Sequence, residues 1–479
     1  MSLHPSVVVP GSVSTRRRLV QDRRRRSPGA GSSSANAAGL VEPKADLRQR
    51  LMHVVWIVFL LAPQFLLLAY SGSTAALRIP NVLLVGLAVL TALKQWEGGW
   101  IWGLLGWIVV TVVDIPGSHD PADAIPILKG LVSCYLIGLC LLRSFRTPRG
   151  AEAVLFVLCV VQYLWWGAWG VRHGLVVWHP DLANYDGYGP LMAGGVGPAY
   201  YFAMASPRPW GRRLGLAAAA LCVLGVVSAF KRGAVLGLVV AMCYIWLRSP
   251  RKGRTFGMIA VLVAVGAIVA SKVKGTTHGA DSSDDFWTEM STMFETKEGS
   301  TGADRLVLAA AARRVFLQHP IFGAGAENFG SAAATELRLG DVGGAYAADL
   351  KSLWGRQLHN IYFQLLSEYG IVGVSLFLQL IYVFWKTSES LRRPEALASW
   401  RAKGGRLNIG YLALGLQCGM IGFLSTGYFY NTLFTPQLYS LLFANLLLNA
   451  IARGDTVEGQ DAARQVQRSR MARPRRVLG

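Results

Sequence analysis

The sequence predicts an all-α polytopic membrane protein, with about twelve transmembrane helices and a large, partly helical outer (periplasmic) loop. Three observations carry that expectation. Of 479 residues, 52% are hydrophobic and 16% charged, with a mean hydropathy of +0.36. One soluble core of this length does not absorb so much apolar surface, so lipid must serve as solvent for the remainder. The apolar residues fall in runs long enough to cross a hydrocarbon core of about 30 Å. The basic residues alternate from one loop to the next, as insertion into a membrane requires.

Taken in order, positions 1–50 hold arginine clusters at 16–18 and 23–26 and a Gly/Ser/Ala-rich stretch. Such a composition suits a disordered basic cytoplasmic tail. Apolar runs follow at 51–70, 79–94, 99–114, 125–142, 151–170, 190–206, 214–230, 233–247 and 255–271, together a membrane domain over 51–271. A large periplasmic loop occupies 272–358. A second membrane block over 359–451 contains the runs 361–385, 407–427 and 433–451, and a basic tail closes the chain over 452–479. The run at 51–70 is too long for the apolar core of a cleaved leader, so it reads as an uncleaved first span.

Charge orients these runs. With the basic N-terminal tail placed inside, the inner loops hold the cations at 94, 143–149, 208–213, 248–254 and 386–406. The outer loops are acidic at 114–123, nearly neutral at 171–189 and uncharged at 428–432. Both termini are therefore expected on the cytoplasmic side. The formal charge of +21 marks topology and gives no reason to expect nucleic acid. The six cysteines lie in or beside apolar runs with no CxxC pair, so neither a disulfide framework nor a structural zinc site is expected.

Two outer segments depart from the pattern and are where chemistry is expected. Lys231 and Arg232 put two cations at the outer end of a span, against the insertion rule. The loop 272–358 is the longest by far, and long loops in compact architectures are functional or disordered. Here helix signals argue for order. Thr301 and Asp304 have capping-box spacing, and 304–318 should form a helix whose apolar positions 306, 309, 310 and 316 suit the membrane surface. Pro320, Gly323 and Gly325 should end it, with His319 satisfying carbonyls at its end. Trp287 suits the headgroup region. The aromatic groups Tyr163, Trp165, Trp166, Trp169 and Tyr428, Phe429, Tyr430 read most simply as interfacial belts.

Three pieces, each weak alone, occur in a fixed order. The first is Ser228-Ala-Phe-Lys231-Arg232-Gly233-Ala234. The second is Arg305 followed by His319-Pro320-Ile-Phe-Gly323-Ala-Gly325-Ala-Glu-Asn328-Phe329. The third is His359-Asn360, entering a span that continues Glu368-Tyr-Gly370-Ile-Val-Gly373. Together they resemble the signature of the O-antigen ligase and O-antigen (exopolysaccharide) polymerase superfamily, over about residues 190 to 385. Lys231 stands where that pattern has a small residue.

The resemblance implies a GT-C-like membrane glycosyltransferase in the bacterial inner membrane. It would move a glycan from an undecaprenyl-diphosphate carrier to an acceptor hydroxyl, of a second glycan or of lipid A core, at the periplasmic face. It implies no cofactor and no metal, and the outer loops contain no HxxxH or paired-carboxylate spacing. Other polysaccharide-assembly proteins are possible partners. In chemical terms a departing diphosphate calls for guanidinium forks, which Arg232 and Arg305 would supply with Lys231 beside them. An attacking hydroxyl calls for a base titrating near neutrality, which His359 would be, with Asn360 in support. Ligase and polymerase are not distinguished by these residues. A lipid-linked glycan flippase or secondary transporter is the competing class, but it calls for repeats or ionisable groups at mid-membrane, and the notable cations lie at the boundary.

Overall fold

A computed structural model describes residues 101–145, 147–173, 187–229, 231–272, 301–338, 350–433 and 435–453. All fall within the unit Gln49–Gly479. The expected N-terminal tail, the runs 51–70 and 79–94, Trp287 and the basic residues beyond 453 lie outside them. Among the described residues all regular structure is helical.

The helices follow the apolar runs closely. They are α1 (Ile101–Asp114), α2 (Pro121–Ser144), α3 (Pro148–Val171), α4 (Tyr188–Ala205), α5 (Pro209–Ser228), α6 (Arg232–Arg248) and α7 (Lys252–Lys272). In the large loop come α8 (Thr301–Gln318) and α9 (Phe329–Glu336). The chain returns through α10 (Ile361–Leu391), α11 (Pro394–Ala402), α12 (Ile409–Thr426) and α13 (Pro436–Arg453). Among the described residues five of these, α3, α5, α7, α10 and α12, are long and apolar enough to cross a membrane. α11 was not expected; it docks by the fully buried Trp400, and Ser399 and Lys403 donate to the carbonyls of Ala452 and Ile451 at the end of α13.

α4 is the axle of the bundle. It is apolar on every side, and such a helix must be enclosed by protein or lipid; here α5, α6 and α12 surround it. Small residues allow the approach, since a Cβ on Gly422 of α12 would lie 3.0 Å from the Cα of Gly194. With no water to drive association, backbone contact of this kind and interhelical hydrogen bonds hold helices together in lipid. Asn445 of α13 donates to the Phe384 carbonyl (2.7 Å) and to Ser388 (3.0 Å) on α10. At the end of the bundle that holds the basic loops, Glu389 accepts from Arg248 (2.8 Å), Gln417 (2.9 Å) and Arg392 (2.5 Å), tying α6, α10 and α12.

One reading needs correction. Tyr163 and Trp166 are buried at 2% and 5% exposure in the bundle core, where α4 and α5 cover them, and do not belong to a lipid-facing belt. α8 packs against the rest of the loop by one face and leaves another uncovered by protein. Leu308, Ala311, Ala312 and Val315 pack against Phe329, Ala332 and Ala333 of α9, while Leu306 and Ala310 stay exposed.

Candidate functional site

The site is built from the large loop locking onto α10. That helix is broken at Gly370, whose φ of 58° lies in the left-handed region. The backbone groups freed there are taken up by the segment after α8. Ile371 and Val372 donate to the carbonyls of Pro320 (2.9 Å) and Ile321 (3.1 Å), while Ala324 and Gly325 donate to those of Ser367 (2.8 Å) and Glu368 (3.1 Å). The backbones approach so closely that a Cβ on Gly323 (φ 86°) would lie 2.2 Å from the Glu368 carbonyl carbon. The Pro-x-x-Gly-x-Gly and Glu-x-Gly strings of the sequence are thus two halves of one joint.

Glu368, 2% exposed, closes the joint by accepting from the Glu327 backbone N–H (3.1 Å) and from Gln364 (3.0 Å). Glu327 itself has φ 57°, among the described residues the sole non-glycine in the left-handed region. Its side chain accepts from Gln357 two residues before His359 (3.1 Å). Burial raises its carboxyl above the ordinary range against a hydrogen bond from Asn431, and the Asp123 carboxylate adds to the rise. Asn328, fully buried, bonds both polar backbone groups of Asp120: its Oδ1 accepts from the N–H (2.6 Å) and its Nδ2 donates to the carbonyl (3.1 Å). The loop is thereby fastened to the turn before α2.

The segments that carry the cationic residues come together around the loop 427–430 that follows α12. Asn360 caps α10, its Oδ1 accepting from Tyr362 (2.9 Å) and Phe363 (3.1 Å), and its amide donates to the Tyr428 carbonyl (3.1 Å). Ile361 donates to the Gly427 carbonyl (2.8 Å). These bonds fix His359, which is exposed, one residue before the cap. The Arg305 guanidinium stands over the Phe429 ring, 5.7 Å from its centre. Gly233 abuts the same ring, since a Cβ there would lie 2.5 Å from the Phe429 Cβ, and this seats Arg232 at the first turn of α6. Lys231 precedes that turn, its Cβ beside Gly189 of α4. Lys231, Arg232, Arg305 and Asn360 are all partly exposed. One short loop therefore touches the segments that carry every candidate residue.

Phe429, an interfacial-belt aromatic by sequence, is instead the platform under Arg305, and Glu327 carries no sequence signal of its place in the joint. The uncharged stretch 428–432 next to a span end was the available signal for the first; nothing local marked the second. His319 also differs from expectation: its Nε2 donates to the Glu336 carboxylate (2.7 Å to Oε2), and His119 donates to the same carboxylate from the turn before α2. Burial pushes Glu336 up, but these two imidazoles more than offset it and hold the carboxyl below its ordinary range.

The resemblance read from the motifs has independent support. Residues 217–378 match the O-antigen ligase family model. The matched stretch begins in α5, runs through the large loop and ends in α10, so it contains Lys231, Arg232, Arg305, His359 and Asn360, while the loop 427–430 lies outside it. The match covers less than half of the chain and supports a likeness to the O-antigen ligase and polymerase superfamily, in keeping with the five described helices long and apolar enough to cross a membrane. No curated protein matches the chain.

Proposed function

We propose that this protein is a metal-independent glycosyltransferase of GT-C-like architecture, with about twelve spans and both tails in the cytoplasm, that transfers a glycan from undecaprenyl diphosphate to an acceptor hydroxyl at the periplasmic face. The observation that carries this reading is the meeting of three distant segments on the loop 427–430: Gly233 against Phe429, Arg305 over the same ring, and Asn360 on the Tyr428 carbonyl. Cations and an imidazole drawn to one end of a bundle suit a reaction whose leaving group is anionic and whose nucleophile must lose a proton.

In this mechanism the acceptor hydroxyl attacks the anomeric carbon as His359 takes its proton. The bond from that carbon to the diphosphate oxygen breaks, and the electron pair leaves on the lipid diphosphate. Arg232 and Arg305, with Lys231 beside them, neutralise the charge that develops there; guanidinium forks match phosphate oxygens in pairs. Asn360 holds the imidazole in place by capping α10. The basic loops gather at the opposite end of the bundle, around Arg248, Arg392 and Lys403, which supports an outward-facing site under the positive-inside rule. Residues 272–358 are then the periplasmic element, between membrane blocks at 51–271 and 359–451.

Reconstitution with an undecaprenyl-diphosphate repeat unit tests the proposal. Longer lipid-linked chains identify a polymerase, and transfer to a lipid A core acceptor identifies a ligase. Donor that stays intact with either acceptor, or is moved between leaflets without transfer, overturns it.

A further inference from the structure

We propose that His119, His319 and Glu336 form a binding site for a divalent transition-metal ion of the zinc class, which staples the large loop to the membrane helices. The three residues come from separate segments: the turn between α1 and α2, the end of α8 and the last residue of α9. Their donor atoms all lie within 4.8 Å of one another. Both imidazoles point Nε2 at one carboxylate, His319 reaching its two oxygens at 2.9 and 2.7 Å. Ligand atoms that share a tetrahedral ion at about 2.0–2.2 Å stand about 3.3 Å apart, so these side chains, now joined by hydrogen bonds, must open slightly as the ion replaces the protons between them.

The chemistry of the set selects the ion. Imidazole nitrogens favour zinc, copper, nickel and iron over calcium or magnesium. Two neutral imidazoles and one carboxylate leave a single negative charge opposite a dication. The partial exposure of all three side chains, 32% for His119, 36% for His319 and 21% for Glu336, leaves a coordination position open to water.

The scaffold is fixed independently of any ion. Asn328, with no exposure, clamps Asp120, the neighbour of His119, by both its N–H and its carbonyl. Asn328 also begins α9, the helix that ends in Glu336. Gln318, beside His319, reaches the Glu336 carbonyl at 3.5 Å. Two of the three ligands are thus held by backbone contacts before binding, which lowers the ordering cost of a site. None of its three ligands is a residue assigned to transfer, and its role is to hold the loop on the bundle rather than to take part in the reaction.

The test uses the full-length protein in detergent, with any affinity tag removed and bound metal stripped by chelator. Co2+ and Zn2+ are titrated by calorimetry, with the visible absorption of Co2+ as a second reading. One equivalent should bind, with nitrogen–oxygen ligand-field bands, and Zn2+ should raise the thermal midpoint. His119→Ala, His319→Gln and Glu336→Gln should each weaken binding at least tenfold and abolish the thermal shift, while His173→Ala should change neither. His119→Ala alters a surface turn and so keeps the test valid if either of the others fails to fold. Absence of stoichiometric binding, or equal binding by wild type and the His119 variant, overturns the proposal. So does a thermal midpoint that responds to pH through these residues but not to metal.

Discussion

Phe429 gives Arg305 a face to rest on, and that contact can be weighed. A guanidinium over an aromatic ring contributes about 0.5–1 kcal/mol when exposed and about 2 when desolvated. Phe429→Leu keeps the apolar volume beside Gly233 but removes the ring, so donor binding is expected to weaken by about two- to thirtyfold, measured as KM for the lipid-linked donor with the membrane level of the protein unchanged. Arg305→Lys keeps the charge and loses the fork, and should cost more than Phe429→Leu if the guanidinium meets phosphate. His359→Ala should leave the protein in the membrane and abolish transfer; full activity in that variant would remove His359 as the base. Glu327 offers a test that needs no substrate. Its carboxyl is held above the usual range by burial, with Asp123 adding to the effect, so the folded protein binds this proton more tightly than the unfolded chain. The stability from that site is complete below the unfolded value of about 4.3 and is lost as pH rises through the raised folded value. Glu327→Gln should therefore raise the thermal midpoint at neutral pH and give no gain near pH 4, read from melts of both proteins across that interval.

The joint between the segment 320–325 and α10 shows what an element contributes that its residues do not. At Gly370 a side chain faces two penalties: a left-handed φ, costing about 1–2 kcal/mol for a non-glycine residue, and a Cβ 2.4 Å from the Ile321 carbonyl oxygen. Gly355 has a comparable φ of 71° but no atom within 4 Å of where a Cβ would stand. Gly355→Ala is thus expected to cost only the conformational penalty, whereas Gly370→Ala should lower the thermal midpoint several-fold further and separate the loop from α10, seen as proteolysis within 320–325. The glycines of this joint were visible in the sequence as two weak strings, but their partnership was not, because each string satisfies backbone groups of the other across a long stretch of intervening chain. α8 was legible as a helix from its Ala/Leu content and its breakers, yet its buried face was not. Leu308, Ala311, Ala312 and Val315 turn inward because α9 lies there, and no periodicity within α8 encodes the position of α9. The pair His119 and His319 escaped for the same reason: spacing along the chain finds ligands on one helix and is blind to ligands gathered from three segments.

Over the whole molecule, hydropathy was the most legible property, because each span must satisfy its own backbone in lipid and therefore carries its signal locally. The edges of α3, α5, α6, α7 and α12 fall within a few residues of the apolar runs. What the spans do to one another was less legible, since Tyr163 and Trp166 look the same in sequence whether they face headgroups or α4. The two ends of the bundle differ in a way that fixes an experiment. One end has the loop 427–430 and the exposed Trp354 and Tyr428; the other has the cations around Glu389 and the exposed turn at Gly404. An inner leaflet rich in anionic lipid and the insertion machinery both favour cations on the cytoplasmic side. Single cysteines placed at 354, 428 and 404 in a variant lacking the six native cysteines should therefore react unequally with a membrane-impermeant maleimide. Positions 354 and 428 are expected to label in intact spheroplasts, and position 404 only after lysis. Labelling of 404 before lysis would turn the bundle over and place His359 and both arginines on the cytoplasmic side, where an acceptor exported to the periplasm never meets them.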